Sequence, residues 1–130
     1  MKCRPHKISA VLQAEKSIAI DFDGVIHGYS RGWHTKDIYD PPVTGAHNAL
    51  KTLSSVYGVF IFSARPATDI LPWCRAHFSD LKFELIKDSA SYWNKKGVIG
   101  ITNRKLPALA YIDDRAIRFT NWIDMVNYFR

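Results

Sequence analysis

The 130-residue sequence predicts an α/β protein, a single doubly wound three-layer sandwich around a central, mostly parallel sheet. Three observations carry this. Short runs at 18–20 and 59–62 are apolar without polar alternation, the pattern of strands buried in a parallel sheet, and a further apolar run lies at 109–112. Between the first two, Ala46, Ala49, Leu50, Leu53 and Val56 recur at helical spacing. Two of the runs end in acidic pairs, Asp21 with Asp23 and Asp113 with Asp114, and that strand edge is where open α/β sheets bind ligands.

Taken in order, Ile8, Val11 and Leu12 suggest a short helix or extension over 8–15. The first strand follows and ends at Asp21. Side chains two apart on a strand point the same way, so Asp21 and Asp23 can converge, and Gly24 then lets the backbone turn away. Residues 25–42 show no sustained period and predict a loop or small hairpin over the carboxylate edge. A helix over 43–56 stops at Gly58, and the strand at 59–62 delivers Ser63 to the same edge. A second helix is expected over 69–78, with Thr68 or Asp69 as its cap and Pro72 in its first turn, where proline does no harm.

Residues 82–86 predict a third strand, and 87–97, with Tyr92 and Trp93, an irregular stretch. The run at 98–102 suits either a short strand or a buried turn. A fourth strand at 109–112 follows Pro107, a residue that suits a strand start. A short edge strand at 117–119 and a terminal helix over 122–129, burying Trp122, Met125, Val126 and Phe129, complete the expected chain. Right-handed crossovers restrict how such strands can be ordered.

The length suits one domain over 1–130 that buries a core without staples, and 47% hydrophobic content agrees. The formal charge of +6 favours anions without choosing among a nucleotide, a phosphorylated metabolite and a nucleic-acid end. No stretch has the length and apolarity of a membrane span, and the segment after the basic first residues is too short and polar for a signal-peptide core. Cys3 and Cys74 make neither a disulfide framework nor a metal-ligand pattern, so reduced thiols and a cytoplasmic location are expected.

Four carboxylates on one edge would repel one another without a cation, and an all-oxygen set suits Mg²⁺ better than a soft metal. Asp21-Phe22-Asp23-Gly24, then Ser63 after Val59-Phe60-Ile61-Phe62, then Lys105-Leu106-Pro107, then Asp113-Asp114 resemble, as an ordered set, the four motifs of the haloacid dehalogenase (HAD) superfamily. The likeness spans roughly residues 16–120 and extends to small phosphatase-like members from bacteria and phages. It implies a HAD-like Rossmannoid fold and a Mg²⁺-dependent phosphomonoesterase that works through an aspartyl-phosphate. Asp21 would be the nucleophile, and Asp23 the general acid and later the base. Ser63 would bind a phosphate oxygen. Lys105 would balance the charge, with Arg104, Lys87, Lys95 or Lys96 as alternatives. The metal would take Asp21, the backbone carbonyl of Asp23, and Asp113 or Asp114.

Fewer than about twenty residues separate Gly24 from Pro42, too few for a cap domain. Substrate recognition would then fall to Gly24, His27, Trp33, Ala64 and Arg65, helped by Tyr29, Arg31 and His34 of the loop 27–40. His27 reads equally well as a satisfied loop histidine, and Tyr92 and Trp93 either stack on a base or pack. The partners this admits are a phosphorylated small molecule or nucleotide, a nucleic-acid end and a second subunit, but no membrane. Paired carboxylates also serve glycosidases, yet Lys105 and Asp113-Asp114 favour phosphate. A silent binding module of the same fold is the competing class; a pure binder has no need of an acid/base carboxylate beside a nucleophile.

Overall fold

The computed structural model describes residues 12, 15–33 and 35–130. Five strands form one all-parallel sheet: β1 (Ser17–Ile20), β2 (Gly58–Phe62), β3 (Phe83–Leu85), β4 (Ile99–Thr102) and β5 (Ala110–Ile112), in the order β3-β4-β2-β1-β5. The described helices are α1 (Ala46–Val56), α2 (Ala67–His77) and α3 (Trp122–Tyr128). All four residues of β1 and of β4 are buried, which is why these runs show no polar alternation.

Alternate residues divide the core into two layers. Ile18, Ile20, Val59 and Ile61 meet Leu50 of α1 and Ile70, Trp73 and Cys74 of α2. Ala19 and Phe60 meet Ile86, Trp93 and Leu106 instead. Helices therefore cover one face, and side chains from the irregular stretches before and after β4 cover the other. Gly100 permits this: a Cβ there would run into the side chains of Ile86 and Trp93. Full burial of residues such as Phe60 and Ile61 contributes about 1.5–3 kcal/mol each. The chain moves outward from β1 to β2 and later returns to place β5 on the opposite side of β1. The strand order thus reverses between β1 and β5, which opens a crevice at their carboxyl ends.

Several expectations need correction. Residues 98–102 hold a buried strand, β4, between β3 and β2, so the run at 109–112 becomes the fifth strand. Helix α1 begins at Ala46 after Gly45, whose φ of 90° is left-handed, rather than at residue 43. Helix α2 begins at Ala67 and carries Pro72 in its interior. It persists because Ile70, Trp73 and Cys74 are buried and because Asn103 Oδ1 accepts the otherwise orphaned Ala67 N–H at 3.1 Å. Residues 117–119 form no strand.

Helix α3 buries none of its residues: Trp122 is 74% and Phe129, just beyond it, 76% exposed, Val126 is exposed and Met125 half-buried. Helical period identifies a helix but not a surface for it to cover, and α3 is held locally by the Asn121 side chain, which accepts Asp124 N–H at 2.9 Å. Most of the expected helix over 8–15, and Cys3, lie outside the described residues. Cys74 is buried in α2, and desolvation pushes its thiol up to about 12, so it stays protonated. Among the described residues no helix is long and apolar enough to cross a membrane.

Candidate active site

Asp21 leaves the tip of β1 into that crevice. Its N–H continues the β1–β5 ladder by donating to Ile112 O at 2.9 Å, so the next residue of the β5 strand, Asp113, arrives beside it. Ligand oxygens of Asp21, Asp113 and Asp114 lie within 4.8 Å of one another. Gly24, at φ 85°, turns the chain directly under Asp114, and a Cβ at that position would collide with the Asp114 carboxylate. Asp21 Oδ1 is held by the Phe22 N–H at 2.8 Å. Burial pushes the Asp21 carboxyl up to about 6; the charges of Asp113, Asp114 and Asp23 add to the rise, and the Phe22 N–H opposes it.

Asp21 is half-buried while Asp113 and Asp114 are exposed, and three converging carboxylates of this kind fit a hard divalent cation with oxygen ligands. The Asp23 carboxylate has partners of its own, although its charge is still felt at Asp21. It is gripped by Arg65, whose Nε donates to Oδ1 at 3.0 Å and to Oδ2 at 2.8 Å, and by His27 Nδ1 at 2.8 Å.

A cavity of about 230 Å³ is lined by Asp21, Lys105 and Asp113 together with Phe62, Tyr111 and Ile112. Larger hollows along β3 and β4 contain none of these carboxylates. Among the candidate cations, Lys105 shares the cavity with Asp21. Arg104 is instead tied to the carbonyls of Lys87 and Ala90, Lys87 lines the separate hollow beside β4, and Lys95 pairs with Glu84 at 3.1 Å at the sheet edge. Lys96 is exposed.

Ser63 is buried at the end of β2, and its hydroxyl oxygen accepts the Arg65 N–H at 3.1 Å, leaving its hydrogen to donate. Ala64 beside it is exposed. Arg65 is 97% buried; its Nη1 donates to Lys36 O at 3.0 Å, and its Nη2 has no partner among the described residues. A buried donor of that kind is costly unless a ligand oxygen meets it. Trp33, 63% exposed, lies over the Arg65 guanidinium at 5.0 Å, so its outer face is open. Trp93 does not stack on anything external: it is buried on the sheet, and its indole donates to Val98 O. His34 lies outside the described residues.

The residue that the sequence did not single out is Asn103. Its Nδ2 donates to Ser63 O at 2.9 Å and to Arg65 O, while its Oδ1 caps α2, so one amide fixes the loop after β2. A polar residue just beyond an apolar run was the available signal, but it has meaning only once that run is known to be a strand. Comparison with protein-family models, curated proteins and solved structures finds no match for this chain.

Proposed function

We propose that the protein is a Mg²⁺-dependent phosphomonoesterase of the HAD type, with a capless Rossmannoid fold and an aspartyl-phosphate intermediate. The observation that carries this reading is the convergence of Asp21, Asp113 and Asp114 at the β1–β5 crevice, with Lys105 lining the same cavity. Asp21 attacks phosphorus, and the bond from phosphorus to the ester oxygen breaks. Asp23 gives its proton to that oxygen as the alcohol leaves. Asp23 then takes a proton from water, whose oxygen attacks the same phosphorus and frees Asp21 and inorganic phosphate. Lys105 and the Ser63 hydroxyl hold the phosphate oxygens. Asp21, Asp113 or Asp114, and the Asp23 carbonyl would hold Mg²⁺, which supplies charge neutralisation on the phosphoryl group when bound. Release of phosphate from a generic aryl phosphate, present with Mg²⁺ and abolished by EDTA, tests the reading; metal-independent release or none at all would overturn it.

The raised carboxyl of Asp21 gives a second test. A carboxyl whose folded value lies above 3.8, at about 6, contributes stability at low pH that is lost as pH rises from about 4 to 6. Mg²⁺ should restore it, by about 2.7 kcal/mol at a hundredfold excess over Kd. The rise in melting temperature on adding Mg²⁺ should therefore be larger at pH 7 than at pH 5, where protons compete. Equal rises at both would contradict a site built on Asp21.

The substrate is a nucleotide or another phosphorylated metabolite, and the loop 27–40 is the proposed source of its recognition. Base stacking is worth about 1–3 kcal/mol, so Trp33→Ala should raise KM for a nucleoside monophosphate about tenfold and that for a small aryl phosphate far less. Its exposure makes a core role for Trp33 untenable, and the melting temperature should hardly move. Equal changes on the two substrates would remove Trp33 as the recognition element.

A further inference from the structure

We infer that His27 is a positioning residue for Asp23, a fixed neutral donor that turns Asp23 Oδ2 toward the leaving oxygen; this rests on the phosphatase reading above. His27 is fully buried. Its Nε2 lies 3.0 Å from the Asp40 backbone N–H, which can only donate, so Nε2 carries the lone pair and Nδ1 the hydrogen. That hydrogen points at Asp23 Oδ1, 2.8 Å away. The ring cannot turn over: Phe22 stacks on it, and Tyr39 and Trp73 meet it edge-on at centroid distances of 5.0 and 5.9 Å.

Among the described residues, Asp23 Oδ1 thus meets two donors, His27 Nδ1 and Arg65 Nε, whereas Oδ2 meets Arg65 Nε alone. The single Nε hydrogen is shared between the two oxygens while the Nδ1 hydrogen goes to Oδ1 alone, so Oδ2 is the less engaged oxygen. Oδ2 is therefore the atom that gives its proton to the leaving oxygen and later takes one from water. A backbone amide does not release its proton, so His27 cannot relay one, and its contribution is orientation alone.

The test compares kcat/KM, which reports steps through phosphorylation of Asp21, for an alkyl phosphate and for 4-nitrophenyl phosphate, whose leaving group needs little protonation. His27→Phe keeps the ring and removes the donor; it should lower kcat/KM about a hundredfold on the alkyl ester and about threefold or less on the aryl ester. His27→Asn sets an amide nitrogen near the Nδ1 position and should keep the wild-type ratio between the esters. Imidazole ¹⁵N shifts of the wild-type protein should show hydrogen on Nδ1 and none on Nε2. Equal losses on both esters, no loss, or a protonated Nε2 would overturn the inference while leaving the phosphatase reading intact. If the Phe variant does not fold, His27→Asn decides: a retained ratio supports the inference and a lost one overturns it. Wild-type protein inactive on both esters overturns the phosphatase reading, and this inference with it.

Discussion

Asp21→Asn is expected to lower turnover of every phosphate ester by about 10⁴-fold or more with the fold intact. The amide fills nearly the same volume, and its oxygen can still accept the Phe22 N–H, but it cannot act as an anionic nucleophile. Stability should not suffer. Burial and the charges of Asp113 and Asp114 disfavour the ionised Asp21 in the metal-free protein, so at pH 7 without Mg²⁺ the variant should melt at or above the wild-type temperature. Added Mg²⁺ should stabilise it less than wild type, because one of three converging ligands has lost its charge. Steady-state rates and melting curves with and without Mg²⁺ check all of this, and a folded variant with near wild-type turnover would contradict covalent catalysis at Asp21.

Asp23→Asn should divide the reaction. Without an acid, kcat/KM for an alkyl phosphate should fall by about 10³-fold, whereas 4-nitrophenyl phosphate should still phosphorylate Asp21. Without a base, the second half-reaction stalls, so the aryl ester should give a burst of alcohol close to one equivalent and then little more. This variant should also be less stable, unlike Asp21→Asn. Arg65 is 3% exposed and loses its charged partner, a change that costs about 3 kcal/mol when such a pair is broken from one side. Stopped-flow release of the alcohol and a melting curve measure both effects. Equal and complete loss of both half-reactions would make Asp23 structural or a metal ligand through its side chain.

The contrast between the two aspartates bears on what the sequence could reveal. Strands β1 and β2 were legible because a strand buried on both faces is a continuous apolar run; β5 shows the same apolar run although its three residues are exposed, and the acidic or serine ends of all three strands mark the edge to which they lead. Strand β4 was ambiguous because Gly100 and Thr102 dilute its run; its identity comes from the sheet around it, pairing with β2 and β3. Pro72 misled because local preference was overruled by the burial of Ile70, Trp73 and Cys74.

Helix α3 misled in the opposite way, its apolar stripe being real but left uncovered. Asp21 and Asp23 look alike in the sequence, two acids on one strand end. What separates their surroundings is the partner each meets: Asp113 and Asp114 across the sheet for the first, and Arg65, forty-two positions along the chain, for the second. Neither His27 nor Arg65 shows by spacing alone that both grip the same carboxylate.

The most direct measurement of covalent catalysis is a rapid acid quench of wild-type protein mixed with 4-nitrophenyl phosphate and Mg²⁺, followed by peptide mass analysis. Within one turnover, the peptide containing Asp21 should carry the mass of a single phosphoryl group, and the modification should vanish when EDTA is present or when Asp21 is replaced by Asn. Steady turnover with no phosphoryl group on that peptide, or with one on a different residue, would contradict the role assigned to Asp21.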